Sequence, residues 1–502
     1  MKAKSTGKAI MIQGTGSGVG KSFLSAGLCR IVSDMGLSVA PFKAQNMALN
    51  SFVTAEGGEI GRAQAFQAEA ARVAPRNDMN PVLLKTQSES GCQVILNGRV
   101  HSSMTARQYY AFRETAWAAV TEAYDRLAQD FDVIVLEGAG SPAEINLARE
   151  DIVNMNMARH AGSPVLLVGD IDKGGVFASL YGTVALLNGD ANMIKAFVIN
   201  KFRGDKTILD PGLDAIRAKT GRPVIGVIPH FGELGMHEED GIPADRMRAT
   251  GERPVRIAVV RLRSISNFTD FDPFLYEPDV EIIYTTRESD IGNADLVILP
   301  GSKNTVKDLL RLRESGLDRV IIERAERGWP VAGICGGYQM LGRAICDPHG
   351  MESEHAEVAG LSLLDAVTTL GREKTTRQVT ADVAAPPPGM NSSRKGMAGY
   401  EIHLGATEAA SPLFRIITPD GADVTDGAAF GSVWGTYLHG IFDNDAFRRE
   451  LINSLRARRG LEPLESGVCY AEMKDAAINR WADALRAHMN MEFIFRMMGI
   501  GG

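Results

Sequence analysis

"GTGSGVGKS", residues 14–22, decides how the first half of this chain is read. It follows the apolar run "AIMIQ" (9–13) and opens a segment of helical periodicity, "KSFLSAGLCRIVSDMG" (21–36). A glycine-rich turn between strand and helix lets backbone amides curl around phosphate oxygens, and the positive end of the helix favours the anion held there. Gly14, Thr15, Gly18 and Gly20 form the cradle, Lys21 reaches the terminal phosphates, and Ser22 can hold Mg²⁺. Counting back from Gly20, the partner glycine is Gly14, one position further than the usual spacing of such loops. The context and the Gly-Lys-Ser ending point to a nucleotide all the same.

Working outward, short β-rich runs alternate with helical stretches, the signature of a parallel sheet in an α/β protein. In the first half these runs are "VAPFK" (39–43), "FDVIVLE" (131–137), "PVLLVGD" (164–170), "AFVIN" (196–200) and "PVIGVIP" (223–229). Ligands bind at the carboxyl ends of such strands. Glu137 is placed there as a carboxylate for Mg²⁺ beside the phosphates, with Asp170 as a weaker metal candidate and Lys43 as a further nucleotide-binding one. A glycine-rich, charged and weakly periodic stretch then interrupts the pattern. A second set of strands follows: "VRIAVVRL" (255–262), "VEIIYT" (280–285), "ADLVILPG" (294–301), "PVAGIC" (330–335) and "GSVWGTYLH" (431–439). The chain of 502 residues exceeds the roughly 250–300 at which one core stops growing. The expected division is therefore a phosphate-loop domain over 1–232, a linker over 233–254, a second α/β domain over 255–490 and a C-terminal tail over 491–502. The proline-rich "AAPPPGM" (384–390) reads as a surface loop of the second domain.

Composition narrows the function classes. Lys plus Arg number 54 against 61 for Asp plus Glu, a net charge of −7, so a chain-wide nucleic-acid footprint is not expected. No run of about 18 apolar residues suggests a membrane span, and no secretory leader is evident at the start. The five cysteines are scattered without CxxC spacing, which indicates neither a disulfide framework nor a zinc site. These features together fit a cytoplasmic protein.

In the second half, "PVAGICGGYQML" (330–341) sets Cys335 between Gly333 and Gly337. Small neighbours on both sides permit the sharp strand-to-helix turn that exposes a nucleophile, and the helix behind it favours the thiolate. Upstream, the loop Gly301-Ser302 offers backbone amides for an oxyanion hole. A thiolate needs a proton partner. Among nine histidines, His439 in "GTYLHGIF" and His403 in "GYEIHLG" both end strand-like runs, and spacing does not choose between them. The polar run Asn267, Thr269, Asp270 and Asp272 in "SISNFTDFDP" is too dense for a core strand, and suits the substrate, the domain interface or a capped loop equally.

Resemblance chooses. "GTGSGVGKS" and "FDVIVLEGAGS" resemble the dethiobiotin synthetase-like ATPases, which phosphorylate carboxylates or carbamates. "GICGGYQML" and "GTYLHGIF" resemble the glutaminase domain of class I glutamine amidotransferases, which implies Cys335 as nucleophile and His439 as general base. Most of that class carries a glutamate two residues after the histidine; here Gly440 and Ile441 follow instead, as in the cobalamin-pathway subgroup. Glu401 is one candidate for the acid that orients the imidazole. Further stretches, "FKAQNMALNSFVT" (42–54), "EGAGSPAEINL" (137–147), "DIVNMNMA" (151–158), "GDIDKGGVFASLYGT" (169–183), "NKFRGD" (200–205), "SISNFTDFDP" (264–273) and "GYEIHLG" (399–405), look like the cobyric acid synthase family along nearly the whole chain. The resemblance implies an ATP- and glutamine-dependent amide ligase of cobalamin biosynthesis. It would amidate the b, d, e and g carboxylates of adenosylcobyrinic acid a,c-diamide through acyl phosphates. ATP and Mg²⁺ serve the reaction, L-glutamine supplies the nitrogen, and cobalt enters only as part of the corrin. No nucleic acid or membrane partner is implied, and homo-oligomerisation stays open. One rival is cobyrinic acid a,c-diamide synthase, which the number of amides added would distinguish. The other is a phosphate-loop ATPase scaffold with a dead glutaminase domain, which would release no glutamate.

Overall fold

The computed structural model describes residues 7–86, 91–146, 151–231, 253–465 and 467–500. It divides into two compact units, one of Met1–Ala48, Glu59–Glu239 and Lys474–Gly502, the other of Leu49–Gly58 and Asp240–Met473. The expected linker, 233–254, lies almost wholly outside the described residues.

The first unit is built on six parallel strands: β1 (Lys8–Gly14), β2 (Val39–Phe42), β3 (Val133–Glu137), β4 (Val165–Asp170), β5 (Ile194–Phe202) and β6 (Val224–Pro229). Their order is β6-β5-β4-β1-β3-β2. Each corresponds to an apolar run read from the sequence. A parallel sheet covered on both faces needs such runs, because successive side chains point to opposite sides and both sides are buried. In β1, Ile10 and Ile12 enter one core and Ala9 and Met11 the other. The second core is closed by the helix Ala106–Asp130 through Val120, Tyr124 and Leu127.

The first core holds a departure from expectation. Residues 474–490 were expected with the second domain and 491–502 as a tail, yet they pack in the first unit. Ile478, Trp481 and Leu485 of the helix Tyr470–His488, with Ile494 and Met498 of the helix Met491–Met498, cover the same face as Leu24, Leu28 and Ile31 of the helix Lys21–Asp34. Trp481 Nε1 donates to the Phe23 carbonyl at 2.6 Å, and the buried Arg30 guanidinium meets Asp475 at 2.7 Å. The apolar face of a helix must be buried somewhere, and sequence adjacency does not say where.

In the second unit the strands that bear on the site are β7 (Val255–Val260), β8 (Val280–Thr285), β9 (Leu296–Leu299), β10 (Val331–Ile334), β11 (Ala366–Val383), β12 (Met397–Ala409), β13 (Ala428–Phe430) and β14 (Val433–Thr436). The central sheet runs β8-β7-β9-β10-β14-β13, parallel except for the antiparallel pair β13 and β14. β11 and β12 form a long antiparallel hairpin in a second sheet, with Arg377 opposite Glu401 and Gln378 opposite Tyr400. "AAPPPGM" connects these two strands. The hairpin escapes a reading by apolar runs because stretches such as "EKTTRQ" are polar and half-exposed. Residues 49–58 belong to this unit, where Val53 packs on Tyr400 and Ile402. A buried network ties the helix Asp445–Arg458 to the chain before β8: Arg448 and Arg449 bond Glu277, while Arg449 and Arg456 bond Asp279.

Trp481→Ala is expected to destabilise the first unit by about 3–5 kcal/mol, through the cavity left and the lost hydrogen bond. Denaturant unfolding of the full chain checks this; an unchanged first transition would show that the C-terminal helices do not support that core.

Candidate functional site

The glutaminase-like site is assembled at the carboxyl end of the second unit's central sheet. Strand β10 ends at Cys335, whose backbone sits at φ 51°, ψ −109°, before the helix Gly336–Leu341 begins. A non-glycine residue held there is strained, and such strain persists only when its surroundings over-determine it. They do so here. The Cys335 N–H donates to Thr436 O at 2.8 Å, and a Cβ on Gly337 would come within 1.9 Å of Leu299 O, so only glycine permits the close approach of helix and strand. The thiol is buried, with Sγ 3.7 Å from Ile402 O on β12.

His439 lies just beyond the end of β14. Its backbone pairs in both directions with Tyr400, at 2.9 and 3.1 Å, and its ring stacks on the Tyr400 ring at 5.1 Å. Asp270, in the 3₁₀ turn Phe268–Tyr276, places Oδ2 2.6 Å from His439 Nδ1 and accepts the Gly440 N–H on Oδ1 at 3.2 Å. Burial alone pulls the imidazole towards its neutral form, but the Asp270 carboxylate and the Cys335 sulfur outweigh it and push its pKa up to about 10. The ring is then an imidazolium at neutral pH, beside the Cys335 sulfur and backed by a carboxylate.

The turn carrying Asp270 is pinned by its neighbours. Asn267 Oδ1 accepts the Ser51 N–H at 3.0 Å, the Phe268 N–H donates to Asn50 at 3.2 Å, and the Tyr284 hydroxyl donates to Phe268 O at 3.1 Å. This accounts for Asn267 and Asp270 in the dense polar run of "SISNFTDFDP". Glu401, the acid considered from sequence, is occupied elsewhere. It bonds Arg377 Nε at 2.5 Å across the hairpin and lies 3.5 Å from His403 Nε2. His403 is held by Gly405 O at 2.9 Å and stacks on Tyr437. Asp270, 169 residues before His439, had no spacing signal; only its unusual polar neighbourhood marked it.

The loop Gly301-Ser302 lies against the nucleophile turn. Its neighbours Ser266 N–H and Lys303 N–H pair with Gly301 O and Ser264 O, a pattern that leaves out the Ser302 N–H. A Cβ on Gly336 would be 2.9 Å from Ser302 N. The Ser302 amide nitrogen therefore packs against the residue that follows Cys335, the place where an oxyanion hole needs a backbone donor.

In the first unit, β1 leads into the loop 14–20, and Gly20 at φ 97° caps the helix Lys21–Asp34. A side chain on Gly20 would meet Asn200 Nδ2 at 2.2 Å. Lys21 Nζ donates to Gly16 O at 2.8 Å and to Gly140 O at 3.3 Å. Thr15 is anchored through its N–H to Val168 O at 2.9 Å, and the Gly18 carbonyl accepts from Lys201 Nζ at 2.7 Å. Ser22 Oγ bonds Glu137 Oε1 at 2.7 Å, and Lys43 Nζ reaches the same oxygen at 3.0 Å. Gln67, which the sequence reading passed over, donates to Glu137 Oε2 at 2.6 Å. Ser22, Lys43 and Glu137 are therefore brought together. Asp170 is not among them: it pairs with Lys201 at 3.3 Å and accepts the Asp172 N–H at 2.9 Å. No cluster of three or more His, Cys, Asp or Glu suited to a metal occurs among the described residues. A serine hydroxyl and a carboxylate beside a phosphate loop nevertheless form the hard oxygen set that suits Mg²⁺.

Residues 10–244 match the CobQ/CobB/MinD/ParA nucleotide binding domain, and residues 256–447 match the CobB/CobQ-like glutamine amidotransferase domain. The cobyric acid synthase of Salmonella agona (strain SL483) is 49% identical over 500 residues, 98% of each chain. That of Citrobacter koseri is 49% identical over 501 residues with the same coverage. No helix among the described residues is long and apolar enough to cross a membrane. With a strained cysteine beside a carboxylate-backed histidine in one unit, a phosphate loop in the other, and this likeness along the whole chain, the protein belongs to the cobyric acid synthase family and is an ATP-dependent, glutamine-using amide ligase.

Proposed function

We propose that this enzyme amidates the b, d, e and g carboxylates of adenosylcobyrinic acid a,c-diamide, with Cys335, His439 and Asp270 releasing ammonia from glutamine. The observation that carries this reading is the buried His439–Asp270 contact beside the strained Cys335.

The Cys335 thiolate attacks the side-chain carbonyl carbon of glutamine, and the amides of Ser302 and Gly336 receive the developing oxyanion. The His439 imidazolium gives its proton to the departing nitrogen as the C–N bond breaks, so ammonia leaves and a glutamyl thioester remains. Neutral His439 then takes a proton from water as it attacks the thioester, which frees glutamate and restores the thiolate. Throughout, Asp270 holds the Nδ1 proton and stabilises the cationic ring, keeping Nε2 for the chemistry.

At the other site the loop amides and Lys21 hold the ATP phosphates. A corrin carboxylate oxygen attacks the γ-phosphorus and releases ADP; ammonia then displaces phosphate from the acyl phosphate to give the amide. Lys21 offsets the charge that develops on the transferred group. Ser22 and Glu137 would hold Mg²⁺, which supplies further charge neutralisation at the phosphates. Lys43 and Gln67 fix the Glu137 carboxylate in place.

Cys335→Ser is expected to lose glutamine-dependent amidation while keeping amidation driven by added ammonia, measured as product amides and released glutamate. Loss of both would refute the division of labour. Asp270→Asn is expected to lower glutaminase kcat by roughly 10²–10⁴-fold. Because Asp270 raises the His439 pKa, its removal should also move the alkaline limb of the pH profile to lower pH. Glu401→Gln should leave turnover within a few-fold, and a loss as large as that of Asp270→Asn would show that the orienting acid is misassigned.

A further inference from the structure

Tyr400, on β12, lies against His439 and has no part in the steps described above. Its N–H donates to His439 O at 3.1 Å, and the His439 N–H donates to Tyr400 O at 2.9 Å, forming an antiparallel bridge. Residues that exchange both bonds stand directly opposite one another, with their side chains on the same face. The two rings therefore stack, with centroids 5.1 Å apart and planes 15° from parallel. Glycines flank the contact on both strands. A Cβ on Gly399 would come within 2.9 Å of His439 O, and Gly440, at φ 72°, lies over the Tyr400 ring, where a Cβ would be 3.8 Å from Cε1.

The stack is supported from behind and kept from water. Phe52 meets the Tyr400 ring at 5.8 Å, and Val53 packs with Tyr400 and Ile402. Tyr400 is 6% exposed and His439 1%. Three other elements face the imidazole: the turn carrying Asp270, 2.6 Å from Nδ1; the nucleophile turn with the Cys335 sulfur; and the backbone of Gly301, where a Cβ would be 3.5 Å from Cε1. Glu401, next to Tyr400, pairs with Arg377 instead. Burial works against a positive charge on the His439 ring, while Asp270 and the Cys335 sulfur work for it. An aromatic face carries the negative side of the ring quadrupole, and it attracts a cation within about 6 Å of its centroid most strongly where both are desolvated. Tyr400 turns such a face to the imidazole.

We propose that Tyr400 is a positioning residue of the glutaminase site: its π face stabilises His439 as the imidazolium, and its plane keeps that ring turned between Asp270 and Cys335. Turning the imidazole out of this plane would press an edge into the Tyr400 ring and break the contact with Asp270. The aromatic face therefore acts on both halves of the cycle, favouring the charged ring each time a proton returns to it. This inference rests on the Cys335–His439 reading of the preceding subsection.

Full-length variants are compared with wild type by glutamate release in the presence of the diamide corrin and ATP, and by NMR titration of the His439 ring through carbon-labelled histidine. Tyr400→Phe keeps the aromatic face. Pentafluorophenylalanine placed at Tyr400 keeps the shape of the ring and reverses the charge of its face, and Tyr400→Leu removes the ring. The Phe variant should keep kcat and KM for glutamine within about twofold of wild type. The pentafluoro variant should titrate His439 about one pH unit lower than the Phe variant does, with the alkaline limb of kcat moving the same way. Tyr400→Leu should also lower kcat about tenfold or more, with KM for glutamine within about twofold, because its imidazole is free to turn. The assignment is overturned if the pentafluoro and Phe variants titrate alike, since a ring that merely fills space acts the same in both, or if Tyr400→Phe loses as much kcat as Tyr400→Leu. The two aromatic variants decide the matter even where the Leu variant does not fold. Glutamate release that survives Cys335→Ser would instead overturn the functional reading itself.

Discussion

Parallel strands all end at one edge of a sheet, and both sites depend on that constraint. In the first unit β1 delivers the phosphate loop, β3 ends at Glu137 and β4 at Asp170. In the second, β9 precedes Gly301-Ser302, β10 precedes Cys335 and β14 precedes His439. The strand interiors are apolar and close-packed, so each polar group is fixed by a rigid element.

The charges placed at those edges are buried and paired. Lys43 and Glu137 are 5% and 1% exposed, and His439 and Asp270 are 1% and 4%. Taking two charges out of water costs several kcal/mol per ion, which their attraction returns only with good geometry and further hydrogen bonds. Those further bonds are present: Ser22 and Gln67 on Glu137, Gly440 on Asp270. Such pairs add little to stability, and their use is to hold an orientation and a protonation state. At His439 the result is a cation beside the Cys335 sulfur, the state that the proposed glutaminase cycle starts from.

Much of this was legible because it is local. The turn at Cys335 needs glycines at fixed offsets, and the phosphate loop needs glycines, lysine and serine in sequence, so both leave a written trace. The apolar strands do as well, since a doubly covered sheet admits few polar residues. Asp270 and Gln67 left no such trace. Each acts on a residue far away in the chain, and an acid in a polar turn or an amide on a helix is an ordinary residue until its neighbours are known. Glu401 shows the converse: it stood near a histidine in sequence, yet the hairpin register gave it to Arg377.

What the sequence determined alone was the pair of α/β units, the glycine-flanked turn at Cys335 and the phosphate loop, because these rest on short-range backbone geometry and on runs of apolar side chains. Tertiary structure decided which acid backs His439, that Asp170 stands apart from Ser22 and Glu137, and that the last helices close the first core. Those outcomes depend on long-range packing, where burying apolar faces and satisfying buried charges select among many partners that are equivalent along the chain.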